Sequence, residues 1–109
     1  MENCIFCGKE VFNAKILEND LAFCVYDKYP DTKGHMLIIP KRHSTNWFKT
    51  TDEERIAMHK LLDEAKKYLD NKYNPTGYNI LLNCEKSAGQ VIFHTHMHLL
   101  PRYGEVTNK

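Results

Sequence analysis

The sequence predicts an α+β fold: a mostly antiparallel five-stranded sheet with one long helix. Two observations carry that expectation. The stretch TTDEERIAMHKLLDEAKKYLDNKY has helical periodicity, and short runs rich in β-branched and aromatic residues flank it on both sides, bounded by Pro, Gly, Asn and Asp. The size agrees: 109 residues, 42% hydrophobic and 27% charged, make one globular domain over residues 1–109 with room for a single core.

The elements follow in order. KILEND and LAFCVYD read as two strands joined by a tight turn at Glu18-Asn19-Asp20. In the second, Leu21, Phe23 and Val25 alternate with Ala22, Cys24 and Tyr26, which makes Cys24 an inert core thiol. The loop KYPDTKG leads into HMLIIP, a strand that ends at Pro40, where no N–H is available to the ladder. KRHSTNWFKT connects this strand to the helix, and its Trp47 could cap the core or border a pocket. Thr51 and Glu54 have capping-box spacing, and Asp52 and Glu53 suit the positive end of the helix dipole. Met58, Leu61, Leu62, Ala65, Tyr68 and Leu69 recur at helical spacing and predict the buried stripe. NPTG ends the helix. YNILLN then reads as a strand, CEKSAGQ as a loop and VIFHTHMHLLP as the last strand.

Charge and composition exclude several classes. Fifteen Lys and Arg against fourteen Asp and Glu leave no basic face for nucleic acid. The start does not resemble a signal peptide, and no apolar run reaches membrane-spanning length, so the expected location is cytoplasmic. There, four cysteines are expected as thiols or metal ligands rather than disulfides.

HTHMHLLPR carries the chemistry. On an extended strand His94, His96 and His98 share one face, while Thr95, Met97 and Leu99 share the apolar one. Three readings follow: a polar strand face, a zinc site built on His-x-His, or a nucleophilic imidazole with histidine neighbours. Phosphorus chemistry suits the third. An imidazole nitrogen can bond to a phosphoryl centre, and adjacent histidines can protonate the leaving group. CIFC, from Cys4 to Cys7, is half of a zinc site and needs two further ligands.

GQVIFHTHMHLLPRY closely resembles the signature of the histidine triad (HIT) family, His-φ-His-φ-His-φ-φ with φ apolar, with Thr95 departing at the first φ. KGHMLIIPKRH and NPTGYNILLN resemble two further family segments, and residues 11–26 resemble the family's opening hairpin. The resemblance implies that His96 is the nucleophile, attacking the α-phosphorus of a purine nucleotide derivative to form a nucleotidyl-histidine intermediate. It implies that a backbone carbonyl near His94 holds the His96 proton on Nδ1. His98 would assist the leaving group, and His35 would support the triad by hydrogen bonding. Asp27 matches the family's ribose-binding position, Asn83 its phosphate-contacting Asn, and Gly89 and Gln90 the loop over the phosphates. At Val91 the family usually has Ser or Thr, so one hydroxyl donor to the phosphate or leaving group is missing. Some relatives, mainly prokaryotic, bind a structural zinc through ligands matching Cys4, Cys7, His43 and His94. Family members pair as homodimers with sheets joined across the interface. The implied activity is that of a nucleoside phosphoramidase or dinucleoside polyphosphate hydrolase. The alternative is a non-catalytic nucleotide-binding or zinc-stabilised interaction protein, which Val91 favours. The chain ends at Lys109, soon after Pro101, without the longer tail of many relatives, which leaves the choice of leaving group open.

Overall fold

A computed structural model describes residues 4–104. A short helix, α1 (Lys9–Asn13), precedes the strands β1 (Leu17–Glu18), β2 (Ala22–Tyr26) and β3 (Met36–Pro40). The long helix α2 (Asp52–Tyr73) follows, then β4 (Gly77–Leu81) and β5 (Met97–Arg102). The five strands form one sheet in the order β1-β2-β3-β5-β4, with every pairing antiparallel. Among the described residues no helix is long and apolar enough to cross a membrane.

Helix α2 starts at the expected capping box. Thr51 Oγ1 accepts from the Glu54 N–H at 3.1 Å, and Glu54 Oε1 accepts from the Thr51 N–H at 2.8 Å. Asn74, left-handed at φ 52°, closes the other end. Met58, Leu61, Ala65 and Leu69 pack on Ala22, Cys24, Met36, Ile38, Met97 and Leu99, with Leu62 and Tyr68 at the margin. Trp47 also borders this helix-side core, with the Arg55 guanidinium 4.9 Å from its ring, so it caps the core rather than a pocket.

The opposite face of the sheet buries Phe23, Val25, Leu37 and Ile39 beneath Phe6, with Val11, Phe12 and Ile92 at the margin. Strands β2 and β3 are therefore covered on both faces, which is why their sequences are almost continuously apolar. Register carries one polar residue onto this second face. Val25 pairs with Leu37, Leu37 with His98, and His98 with Leu81, so His98 belongs to a row that crosses the sheet.

Two expectations need correction. Residues 9–13 are helical, so the opening hairpin is confined to β1 and β2; Phe12 packs edge-on against Phe23 at 5.2 Å instead of extending β1. The last strand starts only at Met97, so His94 and His96 precede it. Their segment bonds elsewhere: the Thr95 N–H donates to the Ser44 carbonyl at 2.8 Å, and its hydroxyl pairs with that of Ser44 at 2.8 Å.

Candidate active site and metal centre

The turn before β3 is built around Gly34. Its φ is +87°, and an added Cβ would lie 3.1–3.2 Å from Tyr73, Leu69 and Pro101, so only glycine meets both demands. Beyond it, the His35 carbonyl accepts from the Asp27 N–H at 2.9 Å, setting these two residues side by side at the ends of β3 and β2. A cavity of about 680 Å³ opens there. Val25 and Leu37 line its floor, Asp27, His96 and His98 one flank, and Asn83, Gly89 and Val91 the rim. Ile5 and Phe6 contribute further apolar wall, with the Phe6 ring 5.0 Å from that of His96.

The hydrogen bonds assign the proton on each histidine. His96 Nδ1 lies 2.8 Å from the His94 carbonyl, which can only accept, so Nδ1 carries the proton and Nε2 keeps its lone pair. His35 Nδ1 accepts from the Asp31 N–H at 3.1 Å, so its proton sits on Nε2. That nitrogen is 2.9 Å from His98 Nδ1 and donates to it, which places the His98 proton on Nε2. The His96 and His98 rings are 5.0 Å apart. One ring thus offers a lone pair and its neighbour a proton. Burial pushes all three of these imidazoles below their ordinary pKa; His98, beside His96 and His35 and only partly offset by Asp27, falls to about 4. Each is neutral at pH 7.

His94 faces away from the cavity. It is 0% exposed, donates from Nε2 to the Pro40 carbonyl at 2.8 Å, and keeps its Nδ1 lone pair for Cys4 and Cys7. Its Nδ1 lies 3.3 Å from Cys4 Sγ and 3.4 Å from Cys7 Sγ, while His43 Nδ1 lies 3.4 Å from Cys7 Sγ. Tetrahedral zinc with bonds of ~2.3 Å to sulfur and ~2.0 Å to nitrogen needs S···N separations of about 3.5 Å. All four ligand atoms lie within 4.8 Å of one another. The three S···N separations match this requirement, and the donor set is that of a closed Cys₂His₂ centre.

A second group, Asp27, His35 and His98, also has ligand atoms within 4.8 Å of one another. Its hydrogen bonds argue against a cation. His35 Nε2 could ligate only if the proton moved to Nδ1, which would then confront the Asp31 N–H, two donors 3.1 Å apart. This group is a hydrogen-bonded cluster rather than a metal site.

The structure brings Asp27, Asn83, Gly89, Val91, His96 and His98 to the cavity, with His35 directly behind His98. Gln90 is not brought there. It is buried, with Nε2 donating to the Thr45 and Ile92 carbonyls at 2.6 and 3.0 Å and Oε1 accepting from the Glu85 N–H at 2.8 Å, so its amide braces the loop. Gly89, at φ +93°, lets the loop turn within reach of Asn83. Sequence reasoning missed Ile5 and Phe6 as cavity wall. The signal was there: two apolar side chains lie inside a Cys-x₂-Cys turn that a metal would pin against the triad.

A family model described as the HIT domain matches residues 9–105. The chain is 37% identical to "Protein hit" of Bacillus subtilis over 107 residues, covering 95% of this chain and 74% of that protein. It is 35% identical over 103 residues to "Adenylylsulfatase HINT3" of Arabidopsis thaliana, covering 92% of this chain and 52% of that one. A crystal structure of a HIT family protein from Bacillus anthracis superposes with a TM-score of 0.87 at 37% identity, covering 95% of this chain and 76% of that one. A Zn-bound histidine triad family protein from Mycobacterium smegmatis superposes at 0.82 with 30% identity, covering 93% and 76%. A neutral imidazole pair beside a cavity, on a five-stranded antiparallel sheet backed by one long helix, defines a class of protein. The chain belongs to the HIT family.

Proposed function

We propose that the chain hydrolyses a purine nucleotide derivative at its α-phosphorus through a nucleotidyl-histidine intermediate. The observation that carries this reading is the His96 tautomer. With Nδ1 committed to the His94 carbonyl, Nε2 is the free nucleophilic atom of a ring that lines the cavity. Its lone pair bonds to phosphorus as the bond to the leaving group breaks, and the His98 Nε2 proton passes to the departing amine or oxygen. Water then attacks phosphorus, cleaves the P–N bond to His96 and releases the nucleoside monophosphate. For adenosine phosphoramidate the balance is substrate plus water giving AMP and ammonia. Asp27 would accept hydrogen bonds from the ribose hydroxyls, and the Asn83 amide would donate to a phosphoryl oxygen. The adenylylsulfatase name of the Arabidopsis relative supports chemistry at an adenylyl group. Both adenosine phosphoramidates and dinucleoside polyphosphates fit as substrates.

Zinc at Cys4, Cys7, His43 and His94 would be structural, since the set is closed and leaves no position for water. The Zn-bound relative supports that choice of cation. A homodimer would form through the edge strand β4, where Ile80 and Leu81 are 53% and 46% exposed. A cytoplasmic location would suit cysteines kept as thiols or metal ligands rather than disulfides.

A second reading, nucleotide binding without turnover, has one observation in its favour: the rim residue Val91 offers no side-chain donor to the phosphate. Incubation with adenosine phosphoramidate, and separately with diadenosine tetraphosphate, separates the two. The enzyme releases AMP, His96→Ala abolishes that release, and the variant keeps the wild-type circular dichroism. AMP binding without any release of product would establish the second reading.

A further inference from the structure

We infer that the metal centre is an affinity element of the nucleotide cavity, so that divalent metal and nucleotide bind cooperatively. The inference rests on the nucleotide reading above and extends it to Ile5 and Phe6.

The four ligands come from two bodies. On one side, His43 and His94 belong to segments that are already cross-linked without any cation. The Thr95 N–H donates to the Ser44 carbonyl at 2.8 Å, Gln90 Nε2 to the Thr45 carbonyl at 2.6 Å and His94 Nε2 to the Pro40 carbonyl at 2.8 Å. Arg42 adds a two-pronged bond to the buried Glu54 carboxylate, at 3.0 and 2.8 Å, which ties the His43 segment to α2. A metal adds little to that side. On the other side, Cys4 and Cys7 bracket a single 3₁₀ turn, Ile5–Cys7, and this turn is the cavity wall. The cation's specific task is to join the turn to the body.

Two side chains transmit the effect. Phe6 is 6% exposed and presents its ring edge-on to His96 at 5.0 Å and to His94 at 5.9 Å. It packs against the His96 ring as a positioning residue. Ile5 is 51% exposed and lines the same cavity as Asp27, so a ligand bound there would cover it. With the thiols unligated the turn is held by the packing of Phe6 on the second sheet face alone, the half-exposed Ile5 is less firmly placed, and the nucleotide has to order that part of the wall on binding. Linkage makes the effect reciprocal: whatever factor metal gives to nucleotide affinity, nucleotide gives to metal affinity.

The test uses the full chain and AMP. Isothermal titration gives the AMP Kd for zinc-loaded protein, for chelator-stripped protein and for Cys4→Ser. Competition against a chromophoric chelator gives the zinc Kd with and without saturating AMP. The expected result is AMP binding weakened by roughly tenfold on stripping, the same factor in the zinc Kd, and a similar loss in Cys4→Ser. Ile5→Ala keeps its zinc, binds AMP more weakly, and shows a smaller difference between loaded and stripped forms. Equal AMP affinities for loaded and stripped wild type, with folding intact by circular dichroism, overturn the inference and leave the nucleotide reading standing. If zinc-loaded wild type binds no AMP, the nucleotide reading fails first and this inference falls with it. Should stripped protein and Cys4→Ser both unfold, the centre holds the whole domain rather than the wall, which also overturns it.

Discussion

Replacing His35 tests the proton assignment on which the proposed chemistry depends. His35 contacts no reacting atom; its effect passes through a 2.9 Å hydrogen bond to His98 Nδ1, which keeps the His98 proton on Nε2. A neutral hydrogen bond of this kind contributes ~1 kcal/mol, which corresponds to about fivefold in the ratio of the two His98 tautomers. His35→Ala removes that bias and returns the ring toward the mixture of an unpartnered imidazole. His35→Gln restores it, because the amide oxygen can accept from the Asp31 N–H while the amide nitrogen donates to His98. Nitrogen-15 shifts of labelled histidine report the tautomer, and single-turnover AMP release reports the chemical step. The expected pattern is a redistributed His98 signal and a rate lowered by up to about twofold in His35→Ala, the population lost when a ratio of about 5:1 relaxes to an even mixture, with both recovered in His35→Gln. Loss of a buried ring lowers the stability of His35→Ala as well, but that loss alone leaves the nitrogen shifts unchanged. An identical His98 tautomer in all three proteins would refute the assignment, and a shifted tautomer with an unchanged rate would refute its part in catalysis.

Val91→Ser restores a hydroxyl at the cavity rim. A hydrogen bond to a charged phosphate contributes ~1.5–3 kcal/mol, but Val91 is 83% exposed and solvent screening holds the gain to the low end, about tenfold in kcat; a kcat at or below wild type contradicts the role assigned to this position. Stability should fall on acidification from about pH 6.5 to about pH 4. His98 has its folded pKa near 4 against an ordinary 6.5, so across that window the unfolded chain binds the proton and the folded one does not. One such group gives a slope of at most ~1.4 kcal/mol per pH unit, reduced here by the partial exposure of the ring. Urea midpoints at pH 7.5, 5.5 and 4.5 measure it, and His98→Gln should flatten the dependence; equal slopes in wild type and variant exclude His98 as the source.

Local rules made much of the fold legible. The Thr51–Glu54 capping box, the stripe from Met58 to Leu69 and the apolar runs of β2 and β3 each announce their element within a few residues of chain. What failed was long-range. Residues 91–96 read as the start of the last strand, but their partners lie at Pro40, in the 41–45 loop and in the N-terminal turn, none of which periodicity can identify. Residues 9–13 carry no strong helical pattern, and their conformation follows from packing Val11 and Phe12 onto the second sheet face. Gln90 reads from the sequence as a phosphate-loop residue; only the three backbone groups around it turn its amide inward.

The break before Met97 is also what lets one row of histidines face two places, the cavity and the Cys4–Cys7 turn. A regular strand would aim His94, His96 and His98 at one face, and a cation held by the first would then lie beside the nucleophile. Ending the ladder at Met97 frees His94 to turn its Nδ1 to Cys4 and Cys7 while its carbonyl still reaches His96 Nδ1. The cost falls on the backbone between them, which must find partners outside the sheet. Ser44 supplies them: its carbonyl takes the Thr95 N–H, and the two hydroxyls pair at 2.8 Å in a site where Thr95 is buried. An apolar residue at position 95 would leave the Ser44 hydroxyl unpaired in that site, so the polar departure from the family pattern and the serine fifty-one positions upstream are intelligible only as a pair.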